Sequence, residues 1–166
     1  GVLFQQIEAE LRQALALYQQ IGDPAGQAGA LGMLAYLLYR QREGGYAQGI
    51  RYCEQALQLP VDGWDAERFV LGNLGFLWYY QGDYARAKPP LERQLFITQQ
   101  AQSWGPEAGA RLELGCLYAA QGDYVNAQLY LEKALQLYRA NGSTRQYRVV
   151  SEGLLALHYH ALGDNA

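Results

Sequence analysis

The sequence is short of several things, and each shortage excludes a class of protein. No apolar run in its 166 residues approaches the roughly 20 that a membrane-spanning helix needs. Gly1-Val2-Leu3-Phe4-Gln5 shows no basic leader followed by an apolar block, so no secretory signal is visible. Positive charge is sparse and scattered: the formal net charge is -3, and every cation but Lys88 and Lys133 is an arginine. With no basic stripe to neutralise phosphates, nucleic acid is not expected as the main partner. Cysteine is limited to Cys53 and Cys116, which lack CxxC spacing. Two buried thiols in a reducing compartment are expected, and hence a cytoplasmic setting.

Catalytic motifs are missing too. There is no GxSxG, no HExxH, and no carboxylate pair beside a histidine. His158 and His160 stand two apart on a helix, so they diverge by about 200° and cannot share a metal. Gly26-Gln27-Ala28-Gly29-Ala30-Leu31-Gly32 looks like a phosphate loop, but it follows no strand, carries no Lys-Ser/Thr and falls within a helix. The expectation is a non-enzyme with no cofactor and no metal. Asn141-Gly142-Ser143 fits the glycosylation triplet, but a chain turn at Asn-Gly explains it more simply.

What is present is apolar residue at helical spacing: half of the chain is hydrophobic, enough for a packed core. The periodicity predicts eight helices and no strand. The first runs from Phe4 to Gln20. Asp23 caps the second, with Pro24 at its first position, and it reaches about Arg42. Tyr46 opens the third, which ends near Leu59 before Pro60-Val61-Asp62-Gly63. Asp62 and Asp65 signal the start of a helix from Trp64 to Gln81. After Gly82-Asp83 the fifth carries Pro89-Pro90, which predicts a kink or a non-α turn. The sixth spans Gly105 to about Gln121, and the seventh Tyr124 to Ala140, stopped by a left-handed cap at Asn141-Gly142. Ser143 caps the eighth, to about Leu162.

Two stretches recur in step. Leu74-Gly75, Trp78, Gln81-Gly82-Asp83-Tyr84 and Ala87 return as Leu114-Gly115, Tyr118, Gln121-Gly122-Asp123-Tyr124 and Ala127. A period of about forty residues means stacked repeats. Aligned first helices give Leu34-Ala35, Leu74-Gly75, Leu114-Gly115 and Leu155-Ala156, the second residue always small. Small residues let neighbouring helices approach closely. Leu38, Trp78, Tyr118 and Tyr159 stand one turn on and fill the space. In the second helices Gly49, Ala87 and Ala127 are the small contacts, with Cys53, Leu91 and Leu131 one turn further.

These residues resemble the tetratricopeptide repeat, whose pattern is Leu-Gly, an aromatic, Gly-Asp/Asn-Tyr and then Ala. Nearly the whole chain is covered: a half repeat 1–22, repeats 23–62, 63–103 and 104–142, and a half repeat 143–166. The spacing is similar to the long-helix branch found in kinesin light chains, spindle-orientation adaptors, bacterial Rap regulators and the sensor arms of bacterial signalling ATPases and transcription regulators. Departures are the missing proline near the end of the Tyr124 helix, and Gly49 and Gln94 where alanine is usual, which predicts looser packing there. The resemblance implies an all-α, right-handed α-solenoid of antiparallel helix pairs. Its first helices would line a concave groove with Tyr36, Tyr39, Arg40, Phe69, Asn73, Phe76, Tyr79, Tyr80, Leu112, Glu113, Cys116, Arg148 and His160. The family's clamp for a C-terminal carboxylate is not expected, since only Asn73 matches it; Gly32, Tyr36, Gly109 and Glu113 occupy the other places.

The function this implies is a scaffold that binds a peptide or protein segment in the groove, within a larger signalling or regulatory protein. The alternatives are a small-molecule-sensing arm of a signalling ATPase or transcription regulator, and an architectural or oligomerising spacer. The terminal helices are apolar on faces that a capping helix would make polar (Phe4, Ile7 and Leu11; Leu154, Leu155, Leu157 and Tyr159). That predicts missing flanking repeats and end-to-end self-association of the isolated segment.

Overall fold

The computed structural model describes residues 2–41, 44–61 and 63–163. Among the described residues there are eight helices and no strand. In order they are α1 Val2–Ile21, α2 Pro24–Gln41, α3 Tyr46–Leu57, α4 Trp64–Tyr80, α5 Tyr84–Gln100, α6 Trp104–Ala120, α7 Tyr124–Ala140 and α8 Thr144–Gly163. The all-α class and the helix number are as expected from the periodicity. The chain divides into two compact units, Gly1–Gln94 and Leu95–Ala166, with the boundary inside α5. In the first, α1 packs on α2, α2 on α3, α3 on α4, and α2 also on α4. In the second, α7 packs on both α6 and α8.

The same chemistry ends one helix and starts the next at three turns, those before α2, α5 and α7. Gly82 and Gly122 have φ of 82° and 76°, left-handed values that cost glycine nothing. The following N–H then reaches back to a carbonyl of the last helical turn: Asp83 to Trp78 at 3.0 Å and Asp123 to Tyr118 at 2.9 Å. The same aspartates cap the next helix. Asp83 Oδ1 accepts from the Arg86 N–H at 3.0 Å, and Asp123 Oδ1 from the Asn126 N–H at 3.1 Å. Asp23 caps α2 in the same way, through the Gly26 N–H at 3.0 Å. The expected cap at Asn141-Gly142 also forms, with Gly142 at φ 70° and the Ser143 N–H on the Tyr138 carbonyl at 2.9 Å.

Two local expectations turn out differently. Ser143 was expected to cap α8, but its hydroxyl donates to Gln146 Oε1 at 2.6 Å. Helix α4 begins at Trp64 as expected, preceded by Gly63 with φ 133° and no side-chain cap; Asp62 and Arg42 lie outside the described residues. At Pro89-Pro90 the non-α alternative does not occur: α5 is α-helical through both residues. The prolines leave the carbonyls of Ala85 and Arg86 without their usual donors. Both of those residues are exposed, so water can serve the freed oxygens.

The cores are built from the small–large alternation. A Cβ on Gly75 would lie 2.4 Å from Leu91 Cδ2, and one on Gly115 would lie 2.7 Å from Leu131 Cδ2. Only glycine lets these leucines in. Gly49 is filled likewise, with Leu77 Cδ2 at 2.8 Å from where a Cβ would stand, so the looser packing expected there does not occur. Leu34, Leu77, Leu91, Leu114 and Leu117 are fully buried, each contributing about 1.5–3 kcal/mol. Gln94 is also buried; its amide faces Gly72, and its Oε1 has no hydrogen-bond partner among the described residues.

Candidate functional site

The first unit carries a face made of aromatic rings. Helical spacing puts Tyr36 and Tyr39 on one side of α2, and Phe69, Phe76 and Tyr80 on one side of α4. Because α2 packs on α4, the two sets meet. Tyr39 stacks on Phe76 at 5.4 Å and 10°, and on Tyr80 at 5.6 Å and 28°. Tyr36 meets Tyr39 edge-on at 5.5 Å and Phe69 at 6.2 Å. Tyr79 sits edge-on to Tyr80 at 5.3 Å. Such pairs contribute about 0.5–1.5 kcal/mol each beyond the area they bury, so the rings hold one another in place. All six remain half-buried, with part of each surface open.

Two further rings complete the face. Tyr46, at the start of α3, stacks on Tyr80 at 6.1 Å and 18°; Tyr84, at the start of α5, lies 5.6 Å from Tyr79. The sequence pattern marked Tyr46 as a helix opener and Tyr84 as part of the repeat signature, neither as part of this face. Their recurrence immediately after a turn was the available signal, since that position sits beside the end of the preceding helix. Arg40 is exposed, and its guanidinium carbon lies 6.0 Å from the Tyr36 ring centroid, at the edge of cation–π range. Burial pushes the Tyr39 phenol above its ordinary value, and hydrogen bonding with Arg40 pulls the other way.

Asn73 does not line this face as expected. It is 5% exposed, and its Nδ2 donates to the Gly32 carbonyl at 3.1 Å. Its amide is spent joining α4 to α2, where leaving it unbonded in a buried helix–helix seam would be costly.

In the second unit Leu112 is half-buried against the cluster of Ala108, Leu131, Ala134, Tyr138 and Val150. Glu113 is half-buried, and its charge adds to burial in pushing the Tyr138 phenol up. Cys53 is buried as expected, but Cys116 is exposed, a correction to the reading of two buried thiols. Position 116 falls one residue after the close-packed Gly115, on the outer side of α6. Partial desolvation and then the Glu113 carboxylate still push its thiol up. The side chains of Arg148 and His160, and of His158 and Tyr159, lie outside the described residues.

Among the described residues no three His, Cys, Asp or Glu side chains gather as a metal site. No helix there is long and apolar enough to cross a membrane. The glycine-rich 26–32 segment lies within α2.

Taken together, the helix order, the in-register small residues and the paired helices define a helical-repeat protein. No family model and no curated protein matches the sequence. Solved structures do. BtubC (BKLC) from P. vanneervenii is 19% identical, with a TM-score of 0.78 over 95% of this chain and 66% of that one. The apo form of RapI is 14% identical, with a TM-score of 0.80 over 98% of this chain and 45% of that one. Both neighbours are helical-repeat proteins, and at these identities the likeness is one of fold. The chain spans less than two thirds of either neighbour's length.

Proposed function

We propose that the chain is a non-catalytic scaffold of the tetratricopeptide type, which holds a peptide or protein segment against the aromatic face of α2 and α4. It would act as one part of a larger signalling or regulatory protein in the cytoplasm. The observation that carries this reading is the run Tyr46–Tyr80–Tyr39–Phe76, near-parallel rings already stacked and half-open. Tyrosine offers a large contact area, few rotors to freeze and a polar tip, the qualities of an interface anchor. Rings that brace one another before a partner arrives lose little further freedom on binding. The helical-repeat fold supports the reading, since such folds commonly present helix faces to extended segments.

The test begins with peptides selected from a displayed library against the whole chain. Tyr39→Ala and Tyr80→Ala should each weaken the selected peptides at least about ten-fold, near 1.4 kcal/mol, with helix content unchanged by circular dichroism. Equal affinity for folded variants would remove the aromatic face from consideration.

A further inference from the structure

The repeats are alike enough that their differences can be read residue against residue. In the second repeat Glu67 pairs with Arg93, Nε to Oε1 at 3.2 Å, and Leu71 is buried. The equivalent places in the third repeat are Glu107, Lys133 and Arg111. There the pairing has changed. Arg111 has replaced the leucine and taken the carboxylate: its Nε and Nη2 donate to Glu107 Oε1 at 2.9 and 2.7 Å. Its side chain is only 13% exposed. Among the described residues no carboxylate is paired with Lys133, the residue that stands in Arg93's place.

The extra cation adjoins a cavity. Between α5, α6 and α7, all within the second unit, a space of about 270 Å³ is lined by Leu95, Gln99, Arg111, Leu129, Tyr130 and Lys133. That is slightly below the roughly 300–1,000 Å³ of sites for larger ligands. No acid is among these lining residues. Arg111 and Glu107 neutralise each other, so the positive charge of Lys133 is left over. Arg111 retains N–H groups beyond the two given to Glu107, and Gln99 brings an amide.

The geometry points to a small-anion site in this cavity, taking the carboxylate or phosphate group of a small molecule between Lys133 and Arg111. Lys133 supplies the uncompensated charge. Arg111, already fixed by Glu107 and largely out of water, supplies directed donors with little left to order. This site is separate from the aromatic face and stands whether or not that face binds a partner.

The test is a two-dimensional NMR titration of the whole chain, with inorganic phosphate in one arm and succinate in the other, each against chloride at matched ionic strength. Either anion should shift amides of α5, α6 and α7 around the cavity saturably, with a dissociation constant in the millimolar range or tighter. Which arm responds more strongly tells phosphate from carboxylate. Lys133→Met, at an exposed position, should weaken binding at least about ten-fold. Arg111→Leu restores the second repeat's arrangement and lets Lys133 join Glu107, so it should abolish binding while the fold persists. Shifts no larger than those with chloride in both arms, or undiminished binding by Lys133→Met, would overturn the proposal.

Discussion

At the scale of single residues, repeat register makes each exception visible. The turn between α5 and α6 uses the same backbone as its sisters, with the Ser103 N–H on the Thr98 carbonyl at 3.2 Å, but Gln102 stands where the others have glycine, at φ 50°. A side chain there costs about 1–2 kcal/mol in the left-handed region, partly offset because glycine frees the unfolded chain. Gln102→Gly should therefore stabilise by about 0.5–1 kcal/mol, read as a higher urea midpoint with unchanged slope. Cys53 offers a test in pH. Burial first, and then the Glu54 charge, push its thiol from the ordinary 9.0 to about 12. Below the ordinary value the thiol is protonated in both folded and unfolded chains and has no effect. As pH rises from 9 towards 12 the unfolded chain ionises and the folded one does not, so stability is lost across that window. Urea unfolding should show a steeper loss between about pH 9 and pH 12 for the native chain than for Cys53→Ala; parallel losses would contradict the burial. Asn73 and Cys116 show why single polar residues were hard to place from sequence. Neighbouring turns of one helix look alike until the partner helix is known, and Asn73 proved to face Gly32 rather than solvent.

At the scale of the element, two kinds of helical glycine separate cleanly. Gly109 in α6 has open space where a Cβ would go, whereas at Gly75 in α4 that Cβ would strike Leu91. Gly109→Ala should gain the helix-propensity difference of about 0.5–1 kcal/mol. Gly75→Ala should lose stability, because moving a packed leucine costs about 1–3 kcal/mol and outweighs the same gain. Thermal or urea unfolding of the two variants checks the opposite signs. Helix α5 teaches a different lesson. Local chemistry at Pro89-Pro90 predicts a kink or a non-α turn, and of these the non-α turn is absent, since α-helix continues through both. Buried anchors on either side, Ala87, Leu91 and Leu95, hold the register that two missing N–H donors would otherwise disturb. Packing outweighs propensity here, and packing is what one helix's sequence does not display.

At the scale of the whole molecule, the fold was legible because its determinants recur. Leu74-Gly75 and Leu114-Gly115, each with a leucine seated over the glycine, repeat one packing solution, and repetition separates signal from accident. The aromatic residues of α2 and α4 were legible as a set, while the openers Tyr46 and Tyr84 and the cavity beside Lys133 depend on contacts between helices that no single helix's pattern records. The account turns on the aromatic face being where a partner docks. The most direct measurement is hydrogen exchange and chemical-shift mapping of the chain with a selected peptide bound. The account predicts perturbation concentrated at Tyr36, Tyr39, Tyr46, Phe76, Tyr79 and Tyr80, with protection of α2 and α4. Perturbation confined to α1 or to the second unit, with those rings unmoved, would contradict it.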